Sequence, residues 1–162
     1  MAKENKTNAM RKLDSMKIPY KEHNYSNTEA ISGVEVAAVL GENPDQVFKT
    51  LVTVAKSGQH YVFLVPVAEE LDLKKAAAAV GEKAVSMLKS KELLPLTGYI
   101  HGGCSPIGMK KFFTTTIHSS AEDFETILFS GGRIGLQLEL SLDDLRKVIP
   151  FNLKNIIVDH SA

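Results

Sequence analysis

Residues 47–66 read VFKTLVTVAKSGQHYVFLVP and contain the strongest strand pattern in the chain. β-Branched and aromatic side chains dominate residues 47–54 and residues 60–66, as is typical of strands. The intervening residues 56–59 are polar and include a glycine, which favours a tight turn. The stretch therefore predicts a β-hairpin.

The segments on either side of this hairpin alternate between helical and strand patterns. Helices are predicted over residues 5–16, 28–40, 72–80 and 90–94 and after Ser141, and strands over residues 18–25, 84–87, 113–118, 126–129, 136–140 and 156–158. Within residues 28–40, Val34, Ala37, Ala38 and Leu40 are expected on one helix face. Because strands and helices do not alternate strictly, a doubly wound parallel sheet is disfavoured. We predict an α/β protein of the α+β type, with a mixed, curled, barrel-like sheet surrounded by helices.

Length and composition indicate a globular protein. The 162 residues suit a single domain spanning residues 1–162, with 44% hydrophobic and 23% charged side chains. The 19 basic and 19 acidic residues cancel, whereas proteins that bind nucleic acid strongly usually carry a basic excess. A local patch around Lys89, Lys91, Lys110 and Lys111 remains a candidate contact, and an ordinary solvated face is the alternative.

Targeting and metal-binding signals are not found in the sequence. The polar N-terminus lacks the apolar segment of a secretory signal, and no apolar run is long enough for a membrane span. With Cys104 as the sole cysteine, no intramolecular disulfide can form, which fits a reducing compartment. The histidines show no metal-ligand spacing. We therefore predict a cytoplasmic protein without a membrane segment, a metal or a cofactor.

Two glycine-rich segments are candidates for a binding site. Residues 101–108 read HGGCSPIG, and residues 129–135 read FSGGRIG. Glycine allows backbone N–H groups to turn towards a ligand oxygen without a Cβ in the way, but plain turns between strands would look the same. Neither segment matches a P-loop or a dinucleotide fingerprint. Sequence spacing does not determine whether the two segments meet.

Two reactive side chains have alternative interpretations. Lys49, inside an apolar strand, either points outward or enters a site where it binds a phosphate or a carbonyl oxygen; Thr50 faces the other side of the strand. Cys104 would need a base, from His101 or His118, oriented by a third group. No third group is evident, so a buried structural cysteine is favoured.

Taken together, the motifs resemble the YbaK family, the freestanding relatives of the editing domain inserted in bacterial prolyl-tRNA synthetase. Any one of them is weak, but they occur in family order over about residues 10–158, nearly the whole chain. They are IPY at 18–20 with His23 and Tyr25, FKTL at 48–51, LKKAA at 73–77, TGY at 97–99, GGCSPIG at 102–108, FETI at 124–127 and SGGRIGL at 130–136.

The resemblance implies a trans-editing deacylase that cleaves the ester of mischarged tRNA. The implied substrate is Cys-tRNA(Pro), and also Cys-tRNA(Cys), bound through the tRNA 3′ end, with prolyl-tRNA synthetase as a candidate partner. In this branch the substrate's own thiol is thought to displace the tRNA, which would formally make the enzyme a lyase; water attack is the alternative. Two alternative hypotheses are that the protein is an Ala-tRNA(Pro) deacylase, or that it is a non-catalytic adaptor that binds tRNA or a synthetase. The oligomeric state is left open.

The resemblance also assigns roles to residues of this chain. Lys49 would hold the terminal adenosine near a phosphate or the ester, the Gly102 N–H would face the aminoacyl carbonyl, and Ser130 would be the serine of the second loop. Gln137 stands where some members have an acidic residue, which puts a direct carboxylate role there in doubt. The implied substrate-binding residues are Tyr25, Thr50, Gly103, Ser105, Gly131 and Gln137.

Overall fold

The computed structural model describes residues 6–26, 28, 30 and 32–159. This part of the chain forms α-helices and β-strands that alternate irregularly. The helices are α1 (Asn8–Ser15), α2 (Gly33–Leu40), α3 (Leu73–Ala79), α4 (Ser90–Thr97) and α5 (Leu142–Val148). The strands are β1 (Lys21–Asn24), β2 (Phe48–Ala55), β3 (His60–Pro66), β4 (Val85–Met87), β5 (Thr114–His118), β6 (Ile127–Ser130), β7 (Leu136–Leu140) and β8 (Asn152–Lys154).

The predicted hairpin is confirmed and lies within a five-stranded sheet of order β4-β2-β3-β5-β8. Strands β2 and β3 are antiparallel, with Phe48 opposite Pro66 and Val54 opposite His60. Strand β5 joins β3 in parallel, and β8 joins β5 in parallel. The hairpin places β2 beside the edge strand β4, which pairs with only the last three residues of β2.

A second sheet has three antiparallel strands in the order β1-β7-β6. It meets the larger sheet at a parallel bridge between Val47 and Leu128. The α+β class and the mixed strand directions are confirmed. Over the described residues, however, the strands form two sheets and do not close into a barrel, because β2 bonds to β4 at one end and approaches β6 only at the other.

The core lies on both faces of the larger sheet. Strand β3 alternates, so that Val62 and Leu64 pack with α1 and the smaller sheet, while Tyr61, Phe63 and Val65 pack with α3. Burial of each such side chain contributes about 1.5–3 kcal/mol relative to exposure. Apolar side chains on both faces of β3 thus make the hairpin a rigid base for the rest of the structure.

Helix α2 differs from its prediction in length and in its buried face. It begins at Gly33, with Ser32 and Glu35 forming a capping box, and residues 29 and 31 of the predicted helix lie outside the described residues, as does residue 5 of the first predicted helix. Of the predicted face, Ala37 is buried and Leu40 half-buried, but Val34 and Ala38 are exposed. Val36, which was not assigned to that face, is buried, so the prediction was right only in part. Ala37 packs against Val47, Val67 and Leu128. The sequence of a short apolar helix does not by itself specify which of its sides will face such partners.

The last predicted strand, over residues 156–158, was also wrong. The strand is β8 (Asn152–Lys154), because the free edge of β5 pairs with Asn152, Leu153 and Lys154. Ile156 is instead buried beside α3, and Ile157 forms an isolated bridge with Leu71. The short helical turn predicted at residues 90–94 is longer and reaches Thr97 as α4. No helix in the described ranges is long and apolar enough to cross a membrane.

His118 at the end of β5 is a buried histidine whose surroundings favour the neutral ring. Its Nδ1 accepts a hydrogen bond from the Ile156 N–H at 3.2 Å, which the protonated ring could not do. Burial lowers the pKa of His118; Lys75 lowers it further, while Glu69 opposes the shift. The unfolded chain therefore binds more protons here than the folded one as the pH falls below about 6.5.

We expect the free energy of unfolding to decrease as the pH falls through about 6.5 and below, where the unfolded histidine takes up its proton. Replacing His118 with Asn keeps a side-chain acceptor near the Nδ1 position and removes the titration. Thermal unfolding between about pH 7.5 and pH 5 should show a flatter pH dependence in His118→Asn than in the natural protein. Equal slopes in both proteins would contradict this assignment.

Candidate active site

A cavity of about 440 Å³ lies in the gap between the two sheets. The chain bonds to the smaller sheet at Val47, just before β2, and β2 pairs with β4 from Thr53 onward. Among the described residues, no strand is therefore paired with residues 48–52 on that edge. The cavity occupies this opening, with the end of β6 on one side and the segment after β4 on the other. The site is therefore a consequence of the incomplete pairing along this edge of β2.

Lys49 lies on the cavity wall and is half-buried. Burial lowers the pKa of its ammonium group, and the nearby carboxylates Glu70 and Glu69 oppose that shift. A partly desolvated ammonium group interacts more strongly with a phosphate or a carbonyl oxygen than one in bulk water does. Lys49 is thus placed where it can bind an anionic or polarised ligand oxygen.

Thr50 also lines the cavity, although it lies on the opposite face of β2 from Lys49, because the cavity wraps around the open edge of the strand. In an antiparallel ladder, backbone polar groups of successive residues point to opposite edges. The Ala55 N–H donates to Gln59 towards β3, while the Val52 carbonyl accepts from Leu88 on the other edge. The backbone N–H and C=O of Thr50 therefore face the gap, and its buried hydroxyl has no hydrogen-bond partner among the described residues.

The two glycine-rich segments meet beside this cavity. A Cβ built on Gly103 would lie 2.9 Å from the Arg133 Cα, so the two backbones are in direct contact. Gly102 has a φ of +86°, a conformation that favours glycine, and lies on the cavity wall. From the second segment Ser130 reaches the wall, and its Oγ accepts a hydrogen bond from the Gly132 N–H at 3.2 Å. The fold thus brings Lys49, Gly102 and Ser130 to one cavity.

Three of the predicted substrate-binding residues lie behind the wall. Gly103 packs against the second glycine segment, as described above. Ser105 is fully buried, and its Oγ accepts the Ile107 N–H at 3.2 Å. The Gly131 N–H donates to the Leu136 carbonyl at 2.9 Å, and an added Cβ would lie 2.7 Å from the Leu136 Cγ. The structure gives these three residues packing contacts that support the loops.

Tyr25 and Gln137 form the part of the wall beside Ser130 that comes from the end of β1 and from β7 of the smaller sheet. Tyr25 follows β1, and its backbone N–H donates to the Gly135 carbonyl at 2.8 Å, which ties it to the second glycine segment. Gln137 lies on β7 opposite His23 of β1, and only 5% of its surface is exposed. A nearly buried amide on a cavity wall is well placed to orient a ligand by hydrogen bonding.

Other parts of the wall were not predicted from the sequence. They come from the α2 region, at Ser32 and Val36, and from the stretch between the last residue of β4 and the first of α4, at Met87, Leu88 and Ser90. Those residues belong to no motif. The residues around β4 reach the cavity because β4 pairs with the end of β2, whereas α2 is placed by the packing of Ala37 on Val47, Val67 and Leu128. An apolar pattern does not mark them as a group, because Ser32, Met87 and Ser90 are exposed.

Cys104 lies on the cavity wall but is poorly suited to act as a nucleophile. It is 6% exposed, and burial raises its pKa to about 12, so that the thiol stays protonated at neutral pH. His101, which also lines the cavity, is exposed. His118 does not line the cavity, and its Nδ1 already accepts a hydrogen bond from the Ile156 N–H. The geometry therefore supports a structural cysteine that packs against the core.

We expect Cys104→Ala to retain most of the catalytic activity of the protein, with a loss of stability of about 1 kcal/mol from the small void it leaves. Esterase or deacylase turnover and thermal unfolding measured on the same preparation would check both. Near-complete loss of turnover in a folded variant would instead make Cys104 the nucleophile.

The chemistry available at this cavity is binding and polarisation of an acyl group. Backbone N–H groups and an ammonium group can stabilise the negative charge that develops on a carbonyl oxygen during attack. Within the part of the chain that the structure describes, no cluster of three or more His, Cys, Asp or Glu side chains is arranged to hold a metal ion. The arrangement fits acyl transfer by positioning and electrostatics.

Comparison with known proteins connects this geometry to a family. The model of the "Aminoacyl-tRNA editing domain" matches residues 28–148. A protein of Enterococcus faecalis named "Putative Cys-tRNA(Pro)/Cys-tRNA(Cys) deacylase EbsC" is 47% identical over 137 residues, which cover 84% of each chain.

Solved structures agree in fold. One described as a "putative trans-editing enzyme for prolyl tRNA synthetase" has a TM-score of 0.81 and 22% identity, covering 94% of this chain and 96% of that one. Another, described as hypothetical protein APE2540, has a TM-score of 0.84 and 19% identity, covering 93% of this chain and 99% of that one. The family match over most of the chain and the close curated relative together show that this protein belongs to the aminoacyl-tRNA editing domain family.

Proposed function

We propose that this protein is a trans-editing deacylase that cleaves the ester of Cys-tRNA(Pro), and also of Cys-tRNA(Cys). The observation that carries the proposal is the cavity between the sheets, where Lys49, Gly102 and Ser130 surround a space large enough for an aminoacyl group. Family membership and the name of the 47% identical relative support the same substrate class. The proposed catalytic groups are Lys49, Gly102 and Ser130, and the domain extends over the whole chain.

The proposed mechanism needs no nucleophile from the protein. An aminoacyl ester is already activated, so correct positioning and stabilisation of the carbonyl oxygen supply much of the rate. The Gly102 N–H and Lys49 would bind that oxygen or the adjacent tRNA end. The cysteine thiol of the substrate then attacks the carbonyl carbon, the ester C–O bond breaks, and the thiol proton passes to the released ribose hydroxyl. A cyclic thioester leaves, and water later hydrolyses it.

The tRNA itself is proposed to bind weakly and through its 3′ end. With 19 basic and 19 acidic residues, the chain lacks the excess positive charge that a strong tRNA binder would use. Exposed Lys89 and Lys91 flank Ser90 at the cavity wall and could contact the acceptor backbone. We propose that prolyl-tRNA synthetase presents the mischarged tRNA, in the cytoplasm where charged tRNA is used.

Release of labelled cysteine from Cys-tRNA(Pro) by the purified protein tests the proposal, with labelled Ala-tRNA(Pro) measured in parallel. We expect cysteine release well above the rate in buffer and little alanine release. Cleavage of the alanyl ester alone would replace the proposed substrate with Ala-tRNA(Pro). Binding of both tRNAs without release of either amino acid would instead identify a non-catalytic adaptor.

A further inference from the structure

The orientation of Gln137 is controlled by a carboxylate that does not line the cavity. With its amide nitrogen turned towards Glu42, Gln137 donates hydrogen bonds to both carboxylate oxygens at 2.9 and 2.8 Å. The reverse orientation would place the amide oxygen against the carboxylate, which is unfavourable. Glu42 is the residue after Gly41, which ends α2. Its carboxylate therefore binds the nitrogen end of the Gln137 amide and fixes the orientation of that amide. The acceptor Oε1 is the end left for other partners.

Glu42 belongs to a small charged cluster between α2 and the smaller sheet. Its side chain is 10% exposed, and one of its oxygens lies 3.8 Å from the His23 Nδ1. The His23 Nε2 lies 2.7 Å from a Glu139 oxygen, and the Thr126 hydroxyl donates to the other oxygen of Glu139. With Glu42 and Glu139 ionised, the two carboxylates outnumber the one lysine that interacts with them, Lys21, which lies opposite Glu139. The cluster therefore favours a cation near Gln137.

A different wall of the same cavity favours an anion or a polarised oxygen, because Lys49 lies there on β2 of the larger sheet. A matching ligand carries a cation on one side and an ester or phosphate oxygen on the other. An aminoacyl ester has this arrangement, since its α-ammonium group is attached next to the carbonyl carbon. An ester with an acylated amino group has lost both the charge and two of the hydrogen-bond donors.

We propose that Glu42 is a positioning residue that holds Gln137 so that its Oε1 accepts a hydrogen bond from the free α-ammonium group of the substrate. The site then selects aminoacyl esters with an unblocked amino group over N-acylated ones. This inference rests on the deacylase function proposed above. It adds a determinant just after α2, at Glu42, that no motif of the sequence marks.

The test compares Cys-tRNA(Pro) with its N-acetylated form, each corrected for its spontaneous rate in buffer. We expect the natural protein to prefer the free amino group by about ten- to a hundredfold, as loss of a charge-assisted hydrogen bond implies. In Glu42→Gln, the KM for the free ester should rise about tenfold with a smaller change in kcat, while cleavage of the N-acetylated ester stays the same. Glu22→Gln, an exposed carboxylate on the neighbouring strand β1, is the matched control and should behave like the natural protein.

An exchange of the two side chains, Glu42→Gln combined with Gln137→Glu, keeps one carboxylate and one amide in contact. It should restore most of the preference, and it keeps the test decisive if thermal unfolding shows that Glu42→Gln alone is not folded. A folded Glu42→Gln with unchanged KM and preference, or a folded exchange variant without the preference, would overturn the inference. Equal cleavage of both esters by the natural protein would overturn it too, while leaving the deacylase function intact. Cleavage of neither ester would overturn the proposed function and the inference together.

Discussion

Lys49→Ala should lose most of the deacylation of Cys-tRNA(Pro), with kcat/KM falling by about a hundred- to a thousandfold, as is typical when one group that stabilises a developing oxyanion is removed. The expected loss follows from the position of Lys49 on the cavity wall, where burial lowers its pKa and strengthens its interaction with a ligand oxygen. The folded state should be preserved, because a half-buried lysine contributes little to the core. Initial rates of cysteine release and thermal unfolding would measure the two effects separately.

Two further variants sharpen the result for Lys49. Lys56→Ala removes an exposed lysine from the turn of the same hairpin, and it should keep full activity. Lys49→Arg keeps the positive charge but changes its shape and hydration, so we expect partial activity. Normal turnover in Lys49→Ala would remove this residue from the mechanism.

Gly103→Ala should reduce both stability and activity, although Gly103 does not line the cavity. Its new Cβ would lie within about 3 Å of the Arg133 backbone, so one of the two glycine segments must move. We expect a loss of about 1–3 kcal/mol in the free energy of unfolding, the usual cost of overpacking. Displacement of the adjacent Gly102 N–H should lower kcat/KM by at least about tenfold. Urea unfolding and cysteine release would measure these changes.

The control for Gly103 is Gly58→Ala in the exposed hairpin turn. A Cβ there would meet no atom within 4 Å, and the variant carries only the strain of a φ of +94°. It should lose some stability and keep its activity. A Gly103→Ala protein that is as stable and as active as the natural one would show that the two segments are less tightly packed than in the structure.

The hairpin could be predicted because its signal is local, whereas the neighbouring residues left open whether Lys49 points outward or into a site. Strands β2 and β3 contain runs of β-branched and aromatic residues separated by a polar turn, so neighbouring residues specify the element. The meeting of the two glycine segments could not be predicted, because Gly103 and Arg133 are 30 residues apart and their contact depends on how the sheets are joined.

The predictions for the buried face of α2 and for the position of β8 departed from the structure for a related reason. In both places the partner that decides the outcome lies elsewhere in the chain. Ala37 packs against Val47, Val67 and Leu128, and the edge of β5 pairs with residues 152–154 rather than with residues 156–158. The role of Glu42 could not be predicted from the sequence for the same reason, because its partner Gln137 is on a strand far along the chain.

The gap in the pairing of β2 also bears on how such an enzyme can diverge. Lys49 and Thr50 belong to the large sheet, whereas Tyr25, Ser130 and Gln137 come from the small one, and the bridge from Val47 to Leu128 connects the two sheets. Mutations in the small sheet can therefore change the width and polarity of the cavity while leaving the hairpin with its lysine intact. Amino acid preference and ester chemistry are in this way open to separate adjustment during evolution.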